Sequence, residues 1–424
     1  MERQITKTES YSFAKIEDQN SQIAFIAISS DLHNENSAKF EAVQSFYTEA
    51  LMAGCKKLSR GAIHEELGLL GSEITINSAS GYINIYLKST DKNIAPVLEI
   101  FKNIFEAPTF DNKEIARIKL LIKNELLEKK ENADAVAFEK LTNSLYDKAD
   151  RRYSYDPDEL ITRIALITKK DLQEFHKQVM TAFWYSTVGG SAKTIVVANR
   201  VISDIKSSYQ IVTRSQTHKL AVKPKRQILS NIPSRQNIEF SIGEVLPLSI
   251  HDKDYPAFMF GLNVLGNWGG FAGRLMSTVR EKEGLTYGIY ARTETMDSTE
   301  FGFWRIKTFF SPEKAEQGLK STFREIKLIK EQGISDVEYQ RFMNILETNQ
   351  VLLNDSLIRL VREMHSFHTN DFSLEEIQQY KEKLTQVTKK EVNQALNKYL
   401  NTDKLTISAA GPVKKVKFNF LNNL

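Results

Sequence analysis

Apolar residues recur along the chain with helical and strand periods in turn, and the order of those periods repeats. Residues 22–29 (QIAFIAIS) form a nearly continuous apolar run that predicts a buried strand. Residues 37–51 place Phe40, Val43, Phe46, Tyr47 and Leu51 on one side of a helix. Ser59 starts a second helix through Leu67, with Gly68 or Gly71 to stop it. Residues 72–79 and 81–88 alternate apolar and polar, which predicts two strands joined at Ser80-Gly81. Two long helices are expected over 91–105 and 112–130, on either side of Pro108. Helical patterns continue at 136–146 and 169–180, and a strand at 182–189 closes the half.

Residues 213–236 break this order. They hold two prolines, many polar residues and a cluster of Lys and Arg without amphipathic order, which predicts a solvated connector. Beyond it the order returns: strand material at 237–248, a helix at 255–265, a strand at 300–309, then long helices at 313–331 and 336–351. A local match supports a duplication. Ile167-Thr168-Lys169-Lys170-Asp171-Leu172 recurs as Val387-Thr388-Lys389-Lys390-Glu391-Val392, an offset of 220 residues. Thr is a common helix N-cap, so one such match carries little; the matching order of its surroundings carries more. Strands mixed with long helices, rather than strictly alternating with them, predict an α+β chain. The expected layout is two homologous domains, 1–213 and 237–424, each a mostly antiparallel sheet packed with long helices, with 214–236 as linker.

The stretch 266–292 (GNWGGFAGRLMSTVREKEGLTYGIYAR) concentrates the candidate chemistry. It opens on glycines, including Gly269-Gly270 and Gly273. A short amphipathic helix over 271–282 should follow, with Leu275, Met276 and Val279 on its apolar face. Gly284 is placed to end that helix, and a strand should run from Leu285 through Tyr287 to Ile289. Arg280 and Tyr287 then lie near each other. Taken alone, an Arg in a last helical turn answers the helix dipole, and a strand Tyr is a packing residue.

Composition narrows the function class. The 424 residues are 41% hydrophobic and 26% charged, ordinary for a globular protein with sizeable cores. A net charge of +4 from 57 basic and 53 acidic residues gives no case for nucleic-acid binding. Cys55 is the single cysteine, so neither an intrachain disulfide nor a multi-cysteine metal site is available. No run of about 18 apolar residues exists to span a membrane. The N-terminal residues show no apolar secretory region, so a cytoplasmic protein is the expectation.

The segment Arg280-Glu281-Lys282, Gly284-Leu285 and Tyr287 matches an R-E-K-x-G-L-x-Y pattern. With the duplication and the length, it resembles the M16 (pitrilysin or insulinase-like) zinc peptidases, and within them the bacterial M16B group. The resemblance covers nearly the whole chain. It implies the M16/LuxS-like metallohydrolase fold, and an Arg–Tyr pair that holds substrate backbone near the scissile bond. The family's other signature is an inverted zinc motif, H-x-x-E-H, on the first helix of the N-terminal domain, with a further Glu downstream. The corresponding place reads Ser45-Phe46-Tyr47-Thr48-Glu49. Ser45 and Glu49 stand where the His ligands would be, and Thr48 stands where the base would be. Glu125 falls near the downstream ligand. Two carboxylates, Glu49 and Glu125, are a thin site for a hard cation, so no metal is expected on this chain. His64 lacks a second His four residues on, and His365 and His368 lack a Glu placed as base; these read as structural or surface His.

The pattern is half an active site. Some M16B peptidases divide the labour between two chains, one with H-x-x-E-H and one with the Arg–Tyr pair. The resemblance implies that this chain is the second kind: a subunit binding unfolded peptide, paired in a heterodimer with an H-x-x-E-H chain that holds the zinc. Peptide would add as a strand to a sheet edge, which in the zinc-bearing relatives corresponds to 73–79 here. Two other readings stay open: a peptide-binding or scaffold homologue with no peptidase partner, and an accessory subunit for trimming a precursor peptide. An alpha-type mitochondrial processing subunit is less similar, because 266–273 is too short for its long glycine-rich loop.

Overall fold

The two matching Thr-Lys-Lys segments are built alike. Thr168 and Thr388 each accept a hydrogen bond from the backbone N–H three residues on, at Asp171 and Glu391. Those acidic side chains reach back to the Thr backbone, so both helices begin with a reciprocal capping box. The computed structural model describes residues 1–32, 36–79, 81–211, 226–266, 272–296 and 302–419.

The duplication extends through the strands. In chain order the first half contributes β1 (Glu2–Lys7), β2 (Tyr11–Glu17), β3 (Ile23–Asp31), β4 (Glu73–Ala79), β5 (Tyr82–Thr90) and β6 (Phe183–Gly190). The second contributes β7 (Gln227–Asn231), β8 (Ile238–Val245), β9 (Ile289–Glu294), β10 (Phe303–Phe310) and β11 (Thr406–Gly411). The first sheet runs β1-β2-β6-β3-β5-β4 and the second β7-β11-β8-β10-β9. Leaving β1 aside, the two orders match strand for strand. Each has one parallel pair, β2 with β6 and β7 with β11, and is otherwise antiparallel. Gly71 (φ 58°) and Gly284 (φ 63°) each take up the left-handed region in the connection that leads to an edge strand, β4 and β9. The expected α+β chain with two homologous halves is thus observed.

Two differences from the sequence reading concern the connector and the N-terminus. Residues 227–231, expected to be linker, form β7, whose alternation the neighbouring prolines and basic residues hide. Residues 212–225 lie outside the described residues. The strands β1 and β2 carried no clear signal, because β1 is exposed on nearly every residue and so shows no apolar alternation.

The core explains the continuous apolar run at 22–29, because β3 is buried on both faces. Ala24, Ile26 and Ile28 point into the larger core with Ile83, Ile85 and Leu87 of β5. The helices α1 (Ala38–Leu51), α3 (Ile94–Glu106), α7 (Lys169–Thr181) and α8 (Ala192–Ser207) close over that face. Phe25 and Ala27 point the other way, with Ala14 and Ile16 of β2, and meet Leu357, Leu360, Val361 and Met364 of α12 (Leu357–His368). The second sheet has the same plan. Its inner face (Phe240, Ile242, Trp304, Ile306) packs on α9 (Tyr255–Gly266), α10 (Ala315–Gln332) and α14 (Lys389–Tyr399). Its far face meets α5 (Ala133–Leu145) through Leu141, Leu145 and Phe303, and through Ala137, Ile232 and Ala410.

The compact units are therefore not contiguous in the chain. One comprises Met1–Leu126, Tyr155–Thr217 and Gln350–Ile377; the other comprises Leu127–Ser154, His218–Asn349 and Gln378–Leu424. Each contains a helix from the opposite half of the sequence, α12 in the first and α5 in the second. A protein cut to residues 1–213 would leave the α12 face of its sheet bare. Four buried aliphatic side chains are lost with α12, each worth about 1.5–3 kcal/mol. We expect that fragment to show no cooperative urea transition, and a fusion that adds residues 350–377 through a flexible linker to regain one. A fragment that unfolds as cooperatively as the fusion would show that α12 is dispensable.

Beneath α12 lies a polar chain. Ser29 Oγ donates to Asn84 Oδ1 (2.6 Å), so it accepts from His365 Nε2 (2.9 Å). His365 Nδ1 then accepts from Thr187 Oγ1 (3.0 Å), which itself accepts from His368 Nδ1 (3.1 Å). Ser12 Oγ donates to His368 Nε2 (2.6 Å). Every link is satisfied with both imidazoles neutral. His365 and His368 are packing residues, as their setting among apolar positions suggested. Among the described residues no helix is long and apolar enough to cross a membrane.

Candidate functional site

Leu275, Met276 and Val279 are fully buried, as their spacing predicts. They do not seat the α-helix expected to reach Lys282. Met276–Lys282 is a wider, π-helical turn, in which the N–H of Glu283 reaches Thr278 O and that of Leu285 reaches Val279 O, both at 3.0 Å. Residues 267–271, with the Gly269-Gly270 turn, lie outside the described residues. The strand expected from Leu285 begins instead at Ile289. Thr286 is the reason. Its hydroxyl donates to Gly288 O (3.1 Å) and accepts the Gly288 N–H (3.2 Å), which holds 286–288 in a local turn.

Tyr287 therefore stands on a turn, not a strand, and is 75% exposed. The Arg280 guanidinium carbon lies 4.9 Å from the Tyr287 ring centroid, a stacked cation–π arrangement. The structure brings together the two residues that the pattern singled out. A half-buried fork of N–H donors and an exposed phenol O–H lie together.

The turn is tied at both ends. At its start Arg274 donates to both carboxylate oxygens of Glu338 (2.7 Å each) and to Gly333 O (3.2 Å). Burial pushes the Glu338 carboxyl up, but the bonds from Arg274 and Ser335 outweigh it and hold it below its usual range. At its end Glu283 accepts from Ser321 and Arg324 of α10, and Lys314 Nζ donates to Gly284 O (2.7 Å). These anchors carry no signal in the sequence around the turn. They lie about 30 to 65 residues from the turn, and no local spacing marks them.

The helix at the zinc-motif position has a different character. Ser45 is half-buried, and its carbonyl accepts the Thr48 hydroxyl (2.9 Å), so Thr48 is buried and internally bonded. Glu49 and Glu125 are exposed. Tyr47 on this helix is fully buried, and its hydroxyl meets His176 Nδ1 at 2.8 Å inside a ring cluster with Phe110 and Phe175. Burial lowers the His176 imidazole to about 4 and raises the Tyr47 phenol well above its usual range. No group of three His, Cys, Asp or Glu placed to hold a metal occurs among the described residues. Ser, Thr and one exposed carboxylate are not a zinc donor set. The residues present do not fit the family's metal.

Residues 43–156 match the family described as insulinase (peptidase family M16), and residues 166–346 match the peptidase M16 inactive domain. The chain belongs to the M16 peptidase family. Its relatives include a Helicobacter pylori protein named non-peptidase homolog YmxG, 20% identical over 88% of this chain and 84% of that one. An uncharacterized zinc protease of Rickettsia felis is 22% identical over 76% of each chain. Among solved structures, a peptidase M16 inactive domain from Pseudomonas fluorescens aligns over 97% of this chain and 98% of that one, with 23% identity and a TM-score of 0.84. A Helicobacter pylori protease aligns over 96% and 99%, at 12% identity and a TM-score of 0.81. The M16 fold is thus kept at low identity. The chain pairs Arg280 with Tyr287 in its second half and carries Ser45, Thr48 and Glu49, none of them His, on its first helix.

Proposed function

We propose that this M16 chain is the non-zinc-binding subunit of a two-chain M16B peptidase. It binds unfolded peptide and lends Arg280 and Tyr287 to a composite site. One observation carries the reading: the Arg280 guanidinium stacks on an exposed Tyr287, while the positions of the metal motif hold Ser45, Thr48 and Glu49. A planar fork and a phenol donor suit backbone carbonyls, whose oxygen gains charge when the bond is attacked. The Arg280 fork and the Tyr287 hydroxyl orient the peptide and together donate to the developing oxyanion. Zinc, its activated water and the general base belong to the H-x-x-E-H partner. The edge strand β4, equivalent to the peptide-binding edge of zinc-bearing relatives, serves here as an accessory surface.

The relative named as a non-peptidase homologue favours a second reading, in which the chain captures or delivers peptide, or serves precursor-peptide processing, without cutting on its own. Both readings expect the purified chain to hold no stoichiometric zinc by metal analysis and to show no chelator-sensitive cleavage of unfolded casein. Chelator-sensitive cleavage by the isolated chain would remove the subunit reading.

A further inference from the structure

Tyr287 is placed by its backbone more than by packing, since the residue is 75% exposed. What fixes that backbone is therefore part of the site. Between Arg280 and Tyr287 the chain leaves the π-helical turn and reverses at Gly284 in the left-handed region (φ 63°). Three side chains that grip this reversal come from α10 or its N-cap residue. Lys314 Nζ holds the Gly284 carbonyl at 2.7 Å. Arg324 Nη2 donates to Glu283 Oε1 at 2.6 Å, and Ser321 Oγ donates to Glu283 Oε2. Arg324 is further fixed through Nε and Nη2 to Glu325 Oε1, at 3.1 and 2.9 Å. The Glu283 N–H, in turn, caps the turn at Thr278 O, so its side chain and backbone tie α10 directly to the segment that bears Arg280.

We infer that Glu283 and Arg324 are a positioning pair, which sets the Arg280–Tyr287 stack from α10. The inference rests on the proposed peptide site for its functional meaning, but the geometry it describes does not. Glu283 falls at the unspecified position of the R-E-K-x-G-L-x-Y pattern, so the pattern itself assigns it no role. Charge-assisted bonds of this kind are directional, and loss of either partner frees the turn to shift by an ångström or so. A displacement of that size is enough to weaken a site that depends on two donors converging.

The test is a fluorine resonance. With 3-fluorotyrosine at position 287, the shift of the full-length protein reports whether the guanidinium lies over the ring. Arg280→Met supplies the unstacked reference. Glu283→Gln and Arg324→Met should each move the resonance more than halfway to that reference, with thermal midpoints near wild type. Arg324→Lys should move it less, and the exchanged pair Glu283→Arg with Arg324→Glu should bring it back toward wild type. Affinity for an unfolded peptide should fall on the order of tenfold in Glu283→Gln. A resonance unchanged in both single variants overturns the positioning role. If the resonance moves as expected but Arg280→Met binds peptide as tightly as wild type, the pair is positioned as described and the peptide-site reading is what fails.

Discussion

Lowering the pH from 7 to 4.5 should erase most of the stability difference between the wild-type protein and His368→Asn. His368 is 2% exposed and His365 is 6% exposed, and every link of the polar chain beneath α12 is satisfied with both neutral. Burial lowers the His368 imidazole to about 4 and the His365 imidazole to about 3, the latter helped by its neighbour. The Asp371 carboxylate acts against the His368 shift, and Lys7 acts with it. The sign follows from linkage. A His whose folded value lies below its unfolded value of about 6.5 contributes fully above that pH and loses the contribution as pH falls toward the folded value. For His368 alone the loss by pH 4.5 is on the order of 3 kcal/mol. His176, lowered by burial to about 4, acts in the same direction.

The whole-protein profile is not enough to see this, because two acids oppose it. Burial raises Glu239 and Glu244 to about 7. Their folded forms bind protons more readily than the unfolded chain, so they gain stability as pH falls from 7 toward 4.5. The difference between wild type and His368→Asn cancels those terms. Urea unfolding of both proteins at pH 7, 5.5 and 4.5 supplies it. A difference that stays constant with pH would mean that His368 is not held neutral in the fold.

The second large effect belongs to Arg280. In a mixture with an H-x-x-E-H partner, Arg280→Ala should lower kcat/KM on the order of a hundredfold, as loss of a preorganised donor to an oxyanion does elsewhere. Tyr287→Phe keeps the ring for stacking and loses only the O–H, so its loss should be smaller, about tenfold. Neither change should disturb assembly. The turn is seated by Leu275, Met276 and Val279, all buried, and is tied at its ends through Arg274 and Glu283. Steady-state kinetics on an unfolded peptide, with sedimentation of the mixture as control, measures both quantities. Variants that cut as fast as wild type would remove the pair from the chemistry.

Much of this fold was legible because its local signals are strong. The two Thr-Lys-Lys capping boxes sit 220 residues apart and mark equivalent helices. The apolar run at 22–29 read as a buried strand, and β3 is packed on both faces. The edge strand β4 and its neighbour β5 also lie where alternation put them. What local patterns do not carry is partner choice. Nothing near residues 133–145 or 357–368 announces that α5 packs on the second sheet and α12 on the first. That exchange depends on packing between residues hundreds of positions apart, such as the cluster that holds Phe25 and Ala27 together with Leu360 and Val361.

The candidate site divides in the same way. Arg280 and Tyr287 were found from a short pattern, and the helix replacing the metal motif was found from what it lacks. The form of the turn was not, because a π-helical turn buries Leu275, Met276 and Val279 as an α-helix does and leaves the same apolar spacing. Thr286 then delays the strand by four residues, through bonds that a propensity reading does not weigh. The clamp from Lys314, Ser321 and Arg324 is tertiary and has no signature in the turn itself.

The most direct measurement compares cleavage of one unfolded peptide by this chain, by a purified H-x-x-E-H M16 chain from the same genome, and by the two together. Neither chain should cut appreciably alone, the mixture should cut in a chelator-sensitive way, and Arg280→Ala in this chain should abolish most of the gain. A mixture no faster than the partner by itself, with the two chains shown to associate, would contradict the composite site.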